Sequence, residues 1–219
     1  MISRSLCRRD RLELNAMEWL RQLDLIVLRF VNQTGANPFL DWFFPRMAAP
    51  SLFIIPGIIL GLWLLWKGSI RGRVFLGLIL IAVLLGDAVI VSGLKKIVNR
   101  PRPHESVTGT RLVTKEEVRI STSVGEVKKG RSFPSGHVCN NVALAMVVVA
   151  VYGRKYRWIY GWALLMGWNR IYLGAHYPSD VMASILISIT YTGVILMMAG
   201  FILARYGVRW SFKEGLDRQ

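Results

Sequence analysis

The sequence predicts an all-α polytopic membrane protein: a bundle of five to six transmembrane helices with an N-terminal amphipathic helix and one extramembrane loop. Three observations carry that expectation. Hydrophobic residues make up 53% of the 219-residue chain, and they are gathered into blocks rather than dispersed as in soluble domains. Three blocks, 47–66, 74–94 and 181–204, hold a single charge among them, Asp87. Each approaches the ~20 residues a bilayer-crossing helix needs. The charged residues collect in the short segments between the blocks.

Segment 1–16 is polar and rich in arginine (Arg4, Arg8, Arg9, Arg11). It is expected to be a disordered basic N-terminus preceding a single membrane-embedded domain over 17–219. It lacks the apolar core of a secretory signal, so the spans themselves are expected to direct insertion. Met17 is an alternative start. In the next segment Trp19, Leu20, Leu23, Ile26, Val27 and Phe30 recur near helical spacing, with Arg21, Asp24 and Arg29 elsewhere. That pattern predicts an interfacial amphipathic helix, with a poor sixth span as the alternative reading. A turn over 32–38 leads into the first span. Pro56, Gly57 and Gly61 inside it are tolerated in membrane helices, where neighbours satisfy the freed backbone groups. The blocks 134–152 and 158–173 are shorter and more polar, and complete the five spans. Trp63, Trp66, Trp158 and Trp162 fall near predicted span ends and read as an interfacial belt.

The formal net charge is +15. Such a balance often marks nucleic-acid binding, but no base-stacking aromatics lie among these basic residues, and no nucleic-acid partner is expected. The membrane explains the charge better. Lys67, Arg71 and Arg73 fill one short loop. Arg154, Lys155 and Arg157 fill another, and Arg205, Arg209, Lys213 and Arg218 lie in the tail. With five spans all three segments share one side, and short positive loops mark the cytoplasmic side. The two cysteines, Cys7 and Cys139, have neither a plausible disulfide geometry nor ligand-type spacing. Segment 104–133 is the sizeable extramembrane piece. Its stretches 107–113 and 118–124 alternate enough for short extended segments. Arg111, Arg119, Lys128, Lys129 and Arg131 outnumber Glu105, Glu116, Glu117 and Glu126. The loop reads as solvated, or as a basic rim that recruits an anionic headgroup.

Three clusters carry chemistry, and the proposed topology places all of them on the outer side. The first is Lys95-x6-Arg102-Pro103. Seven residues on a continuing helix are about two turns, so both cations would share a face, although Pro101 and Pro103 are expected to break that helix. Arg102 offers a planar fork for two phosphate oxygens and Lys95 a point charge. Lys96 and Arg100 read as snorkelling anchors at a span end. The second cluster is Pro134-Ser135-Gly136-His137. Proline suits a helix start, the free N–H groups there form an anion site, and His137 at the mouth can give a proton to a leaving oxygen. The third is Arg170-x5-His176-x3-Asp180. Asp180 falls in the first turn of the last span, where an acid suits the helix dipole. It is placed to hold the His176 tautomer, leaving the other ring nitrogen to attack phosphorus. A purely structural His–Asp pair is the competing reading. Asp87 lies near the Lys95 face, and Asn140 and Asn141 follow His137; these read as interior polar contacts.

In order and spacing these clusters resemble the three signature motifs of the type 2 phosphatidic acid phosphatase family, which also includes vanadium haloperoxidases and acid phosphatases. The resemblance spans roughly residues 95–180. One departure is that the family has Ser before the third-motif Arg, where this chain has Asn169. The resemblance implies that His176 is a nucleophile forming a phosphohistidine, that Asp180 orients it, and that His137 protonates the leaving group and then activates water. It implies a phosphate cradle of Lys95, Arg102, Arg170, Ser135 and the Gly136 N–H, with Asn169 as a further contact. No metal and no cofactor are implied. The expected function is metal-independent hydrolysis of a terminal phosphate or diphosphate on an amphiphilic lipid. Undecaprenyl diphosphate, phosphatidylglycerophosphate, phosphatidic acid and lipid A 1-phosphate are the candidates, and the site would face the periplasm or exterior from a bacterial-type inner membrane. A lipid phosphotransferase using the same intermediate, or a lipid transporter without hydrolysis, is the alternative. The partners are then the lipid phosphate and the bilayer, with the oligomeric state left open.

Overall fold

The computed structural model describes residues 18–122 and 131–206, together with the backbone of strands 208–211 and 215–218. The expected disorder of 1–16 and the alternative start at Met17 lie outside the described residues, as do Cys7, Lys128 and Lys129. Helix α1 (18–29) runs into a π-helical turn, Phe30–Thr34, closed by the Gly35 N–H returning to the Phe30 carbonyl at 2.8 Å. Helix α2 (Pro38–Met47) starts at Asn37, whose side chain accepts from the Phe39 N–H at 2.8 Å, with Pro38 in the first turn. A break over 48–50 separates it from α3 (Ser51–Lys67). Helix α4 (Ile70–Leu84) passes through a π-helical turn, Leu85–Val91, into α5 (Ser92–Val98). Asn99, in the left-handed region at φ 46°, ends that run. A short α6 (Pro103–Ser106) follows, then a hairpin of β1 (Arg111–Val113) and β2 (Val118–Ile120), shorter than the extended pieces expected. Helices α7 (Gly136–Tyr152), α8 (Ile159–Tyr172) and α9 (Pro178–Arg205) complete the bundle, and β3 (Val208–Ser211) and β4 (Gly215–Arg218) form a terminal hairpin.

Among the described residues three helical runs are long and apolar enough to cross a membrane: Pro38–Lys67, Ile70–Ser106 and Pro178–Arg205. The other two expected spans are present as α7, of 17 residues, and α8, of 14. Both fall short of the ~20 residues that alone would bridge the hydrocarbon core. Helix α9, at 28 residues, is roughly 42 Å long at ~1.5 Å per residue. Of the two shorter helices, α7 is the inner one, since α8 leaves Leu164, Leu165 and Trp168 exposed. Helix α7 packs against α4, α8 and α9 and buries Val138, Cys139, Val142, Ala143, Val147 and Val151. Small residues let these helices approach closely, as membrane bundles require. A Cβ on Gly86 would lie 2.6 Å from the Tyr191 hydroxyl, and one on Gly167 2.9 Å from Val181. Outward, α3 exposes Leu52, Ile55, Ile58, Ile59, Leu62 and Trp66. An apolar exterior over an apolar interior is the pattern of a protein whose solvent is lipid.

Helix α1 turns its apolar face outward, as an interfacial amphipathic helix does. Trp19, Leu20, Leu23, Ile26, Val27 and Phe30 all face outward, and it is Asp24, Leu28, Val31 and Asn32 that turn into the protein. The inward pull is polar. Asn32 donates to the carbonyls of Arg111 at 2.8 Å and Tyr172 at 2.7 Å, and accepts from the Arg111 N–H at 2.7 Å. Trp162 departs from the belt reading, since its indole N–H donates to Asn141 Oδ1 at 2.8 Å inside the bundle. Asn141 in turn donates to the His137 carbonyl, and Asn140 donates to Asp87 at 2.7 Å, as interior contacts. The alternation of α4–α5, α7, α8 and α9 sends the last turn of α5, the first of α7, the last of α8 and the first of α9 to one end of the bundle. Lys67, Arg71, Arg154, Lys155 and Arg205 mark the other.

Candidate active site

At that end the three sequence clusters converge. The segment 173–177 that carries His176 is wound tightly onto the end of α8: the N–H groups of Ala175 and His176 both return to the Arg170 carbonyl, at 3.2 and 3.3 Å. Gly174 makes the bend possible. It sits at φ 69°, and a Cβ there would lie 2.3 Å from the Arg111 carbonyl oxygen. Positive φ at such close quarters admits only glycine. His104 adds a brace, its Nδ1–H donating to the Gly174 carbonyl at 2.8 Å.

The His176 imidazole is buried, and its Nδ1 lies 2.5 Å from the carbonyl oxygen of Ser132. A carbonyl only accepts, so Nδ1 carries the hydrogen and Nε2 keeps its lone pair. Burial first, then the cations of Arg170 and Arg102, hold the imidazole well below its ordinary pKa, with Lys95 acting in the same direction. The ring is thus a neutral imidazole with a lone pair on Nε2, beside the three cations that the motifs supply.

Asp180 does not hold this imidazole directly, as the sequence reading expected. Its fully buried carboxylate accepts from Arg100 Nη1 at 2.6 Å, from Ser132 Oγ at 2.5 Å and from the Tyr177 N–H at 3.0 Å. The first turn of α9 draws the carboxylate back onto its own N-terminus, and Arg100 takes the side that would have faced histidine. Ser132 stands between them, joined to Asp180 through its hydroxyl and to His176 through its carbonyl. Arg100 is therefore no snorkelling anchor. It also pairs with Asp24 of α1 at 2.8 Å and lies over the Tyr177 ring at 4.0 Å. Spacing gave no sign of Arg100, Asp24 or Ser132 as site residues. The available signals were an acid on the amphipathic α1 and a serine two residues before Pro134.

The cradle is built differently. Ser135 caps α7, with its N–H donating to Ser184 Oγ at 2.8 Å. Its own Oγ is buried and unpartnered among the described residues, and so is Nε of Arg170. Arg102 and Arg170 line a cavity of about 250 Å³ walled by Pro45, Ala48, Ala49 and Pro50, with Lys115 at its edge. His137 adjoins this wall: Nε2–H donates to the Ala48 carbonyl at 3.3 Å. A Cβ on Gly136 would lie 3.0 Å from Asp87 Oδ1, so the α7 start is closely backed by the π-helical turn. Lys95 and Arg102 lie beyond a common helix, since α5 stops at Val98, yet they remain electrostatic neighbours. Asn169 is fully buried and donates Nδ2 to the Phe44 carbonyl at 2.8 Å. In the loop, Arg111 is held by Asp41 at 2.5 Å and Arg119 pairs with Glu117, which removes both from a free basic rim. Among the described residues no group of three or more His, Cys, Asp or Glu side chains is arranged to hold a metal ion.

Donors without partners, a neutral buried imidazole with a free nitrogen and a second histidine nearby are groups suited to phosphoryl transfer. Comparison with known proteins agrees with that chemistry. The PAP2 superfamily model matches residues 76–204, a stretch that contains all three motifs. The lipid A 4'-phosphatase of Bacteroides thetaiotaomicron is 27% identical over 182 residues, covering 78% of this chain and 74% of that protein. That of Porphyromonas gingivalis is 25% identical over 177 residues, covering 79% and 71%. Among solved structures, LpxE of Aquifex aeolicus has a TM-score of 0.62 at 25% identity, covering 80% of this chain and 95% of that one. The PAP2-type phosphatidylglycerolphosphate phosphatase of Bacillus subtilis shares the fold, with a TM-score of 0.53 at 18% identity over 84% of this chain and 87% of that one. With the family model covering more than half of its length, the chain belongs to the PAP2 superfamily.

Proposed function

We propose that this protein is an integral-membrane lipid phosphatase that removes a terminal phosphate from an amphiphilic lipid through a phosphohistidine on His176, without a metal. The observation that carries the reading is the state of His176: Nδ1–H is tied to the Ser132 carbonyl, and Nε2 is free beside three cations. In the first step the Nε2 lone pair forms a bond to phosphorus and the P–O bond to the lipid breaks. The negative charge of the bound phosphate favours the imidazolium form of His137, which delivers its second proton to the leaving oxygen and becomes neutral. In the second step His137 takes a proton from water, the water oxygen bonds to phosphorus, and the P–N bond breaks. Inorganic phosphate leaves and His176 is restored. Lys95, Arg102, Arg170, Ser135 Oγ and the Gly136 N–H meet the non-bridging oxygens, where charge accumulates in both transition states. Asp180 acts on His176 through Ser132.

The curated relatives, named as lipid A 4'-phosphatases, favour a phosphate monoester on a lipid A-type glycolipid. Phosphatidylglycerophosphate, phosphatidic acid and undecaprenyl diphosphate follow as substrates of the same terminal-phosphate chemistry. We place the site on the periplasmic or exterior face of a bacterial-type inner membrane. Lys67, Arg71, Arg154, Lys155 and Arg205 cluster at the bundle end opposite the site, and short positive loops stay in the cytoplasm.

The test is release of inorganic phosphate by purified protein in detergent with EDTA, comparing lipid A, phosphatidylglycerophosphate and undecaprenyl diphosphate, with His176→Ala as control. Release that vanishes in the variant supports the reading, and the relative rates rank the lipids. Well-folded protein that releases phosphate from none of them overturns it. Appearance of the phosphate on an added acceptor alcohol instead identifies a phosphotransferase.

A further inference from the structure

Behind the nucleophile lies a network that the motifs do not contain. Arg100 holds Ser132 from two sides. Its carbonyl accepts the Ser132 N–H at 2.9 Å, and its guanidinium binds the Asp180 carboxylate, which takes the Ser132 hydroxyl. The remaining carbonyl of Ser132 fixes His176. Closed in this way, the ring Arg100–Asp180–Ser132 leaves the imidazole little freedom. The other arm of the guanidinium reaches Asp24 on α1, which is 6% exposed. Asp24 also accepts from the Ser179 N–H at 2.7 Å and from Ser179 Oγ at 2.5 Å, at the start of α9. Two carboxylates so deeply buried would be strongly unfavourable without a shared cation. Ionisable groups kept at that expense in a membrane helix mark function by default.

We propose that Arg100 and Asp24 are positioning residues for the reaction: the guanidinium locks helix α1 onto the Asp180–Ser132 pair, so that docking of α1 sets the attack geometry of His176. Neither residue reaches the phosphoryl group. Their effect falls on the chemical step and leaves phosphate affinity alone. A mere staple between α1 and α9 would instead change stability without a selective effect on turnover. The inference rests on His176 being the nucleophile.

The test compares wild type, Arg100→Gln, Arg100→Lys, Asp24→Asn and the Arg100→Gln/Asp24→Asn double variant in detergent, with His176→Ala as control. It measures kcat, KM and the affinity for inorganic vanadate as a phosphate mimic. We expect Arg100→Gln to lower kcat about tenfold or more while KM and vanadate affinity stay within about threefold of wild type. Arg100→Lys should recover part of kcat, since an ammonium can serve one carboxylate but not both. The double variant should be no slower than Arg100→Gln alone, because Asp24 acts through the guanidinium. Unchanged kcat in Arg100→Gln overturns the proposal. So does a rise in KM at constant kcat, which would make Arg100 a substrate contact, or loss of vanadate binding together with thermal stability in both single variants, which would make it a staple. If wild type releases no phosphate, or His176→Ala keeps its activity, the underlying reading falls and this inference with it. Activity lost in His176→Ala but intact in Arg100→Gln sinks the inference alone.

Discussion

The two sides of His176 are built on opposite principles. Behind it, every polar group of the Asp24, Arg100, Asp180 and Ser132 set that the hydrogen bonds describe is paired, at 2.5 to 3.0 Å. In front, buried Ser135 Oγ and Arg170 Nε have no partner among the described residues. A buried group left unsatisfied costs about 1–3 kcal/mol, so the front is held open at the expense of stability while the back is saturated. The contrast fits preorganised catalysis, in which donors are fixed before the charge they stabilise has formed. On the proposed mechanism the protein holds the nucleophile, and the substrate completes the cradle.

The sharpest way to break that division is to remove the histidines one at a time. His176→Ala should abolish turnover and leave no acid-labile phosphoprotein after incubation with radiolabelled substrate. His137→Ala should slow lipid hydrolysis by about 10²–10⁴-fold, the usual scale for general acid–base catalysis. With an activated aryl phosphate, whose leaving group needs no proton, His137→Ala should still form the phosphoenzyme and then stall. Labelled His176→Ala, or unlabelled His137→Ala under those conditions, would reverse the assigned roles.

Next in size is Ser135→Ala, for which activity and stability should move in opposite directions. Loss of one donor to the developing charge is expected to lower kcat/KM by about 10²–10³-fold. Removing an unpartnered buried hydroxyl should leave thermal stability unchanged or raise it. A fall in both would place Ser135 with the saturated back.

The acid side of the pH profile offers a smaller effect. His176 must be unprotonated to attack, and burial with the cations Arg170 and Arg102 holds its pKa well below 6.5. The acid limb of kcat/KM that belongs to this group should therefore lie well below pH 6.5, and activity should persist as pH falls through that value. Arg102→Gln removes one of the repelling charges, so the pKa rises and the limb moves to higher pH. A limb that stays in place when the cation is lost would show that His176 is not the titrating group.

How much of this was legible in sequence follows from how far each feature reaches along the chain. The proposed cradle and nucleophile sit on short spacings at span ends, so Lys95, Arg102, Ser135, His137, Arg170 and His176 stand out in the sequence as candidates. The back does not, because its bonds run between distant segments: Arg100 to Asp24 across 76 residues and to Asp180 across 80. Asp180 was recognised but assigned the wrong neighbour, since spacing cannot register that Arg100 and Ser132 intervene. The apolar face of α1, by contrast, is legible from helical spacing alone, and it points outward as an interfacial helix requires. Helix α5 ends three residues before Pro101 because Asn99 takes a left-handed conformation, a local choice that the prolines masked.

Asn169 lies on the boundary between the two regions and carries the smallest expected effect. The family places a phosphate-binding serine here. In this chain Nδ2 donates to the Phe44 carbonyl, and Oδ1 is buried without a partner. Reversing the amide would set one oxygen against another, so the donor belongs on the Phe44 side. The unpaired atom is then an acceptor, which repels phosphate oxygens rather than binding them. On this geometry Asn169 braces α8 against α2 and contributes little to the cradle. Asn169→Ala should destabilise the fold by about 1 kcal/mol through the lost hydrogen bond, while vanadate affinity stays near wild type. Asn169→Ser should restore some stability only if the hydroxyl reaches Phe44. A drop in vanadate affinity comparable to that of Ser135→Ala would move Asn169 into the cradle and make the asparagine a working replacement for the family serine.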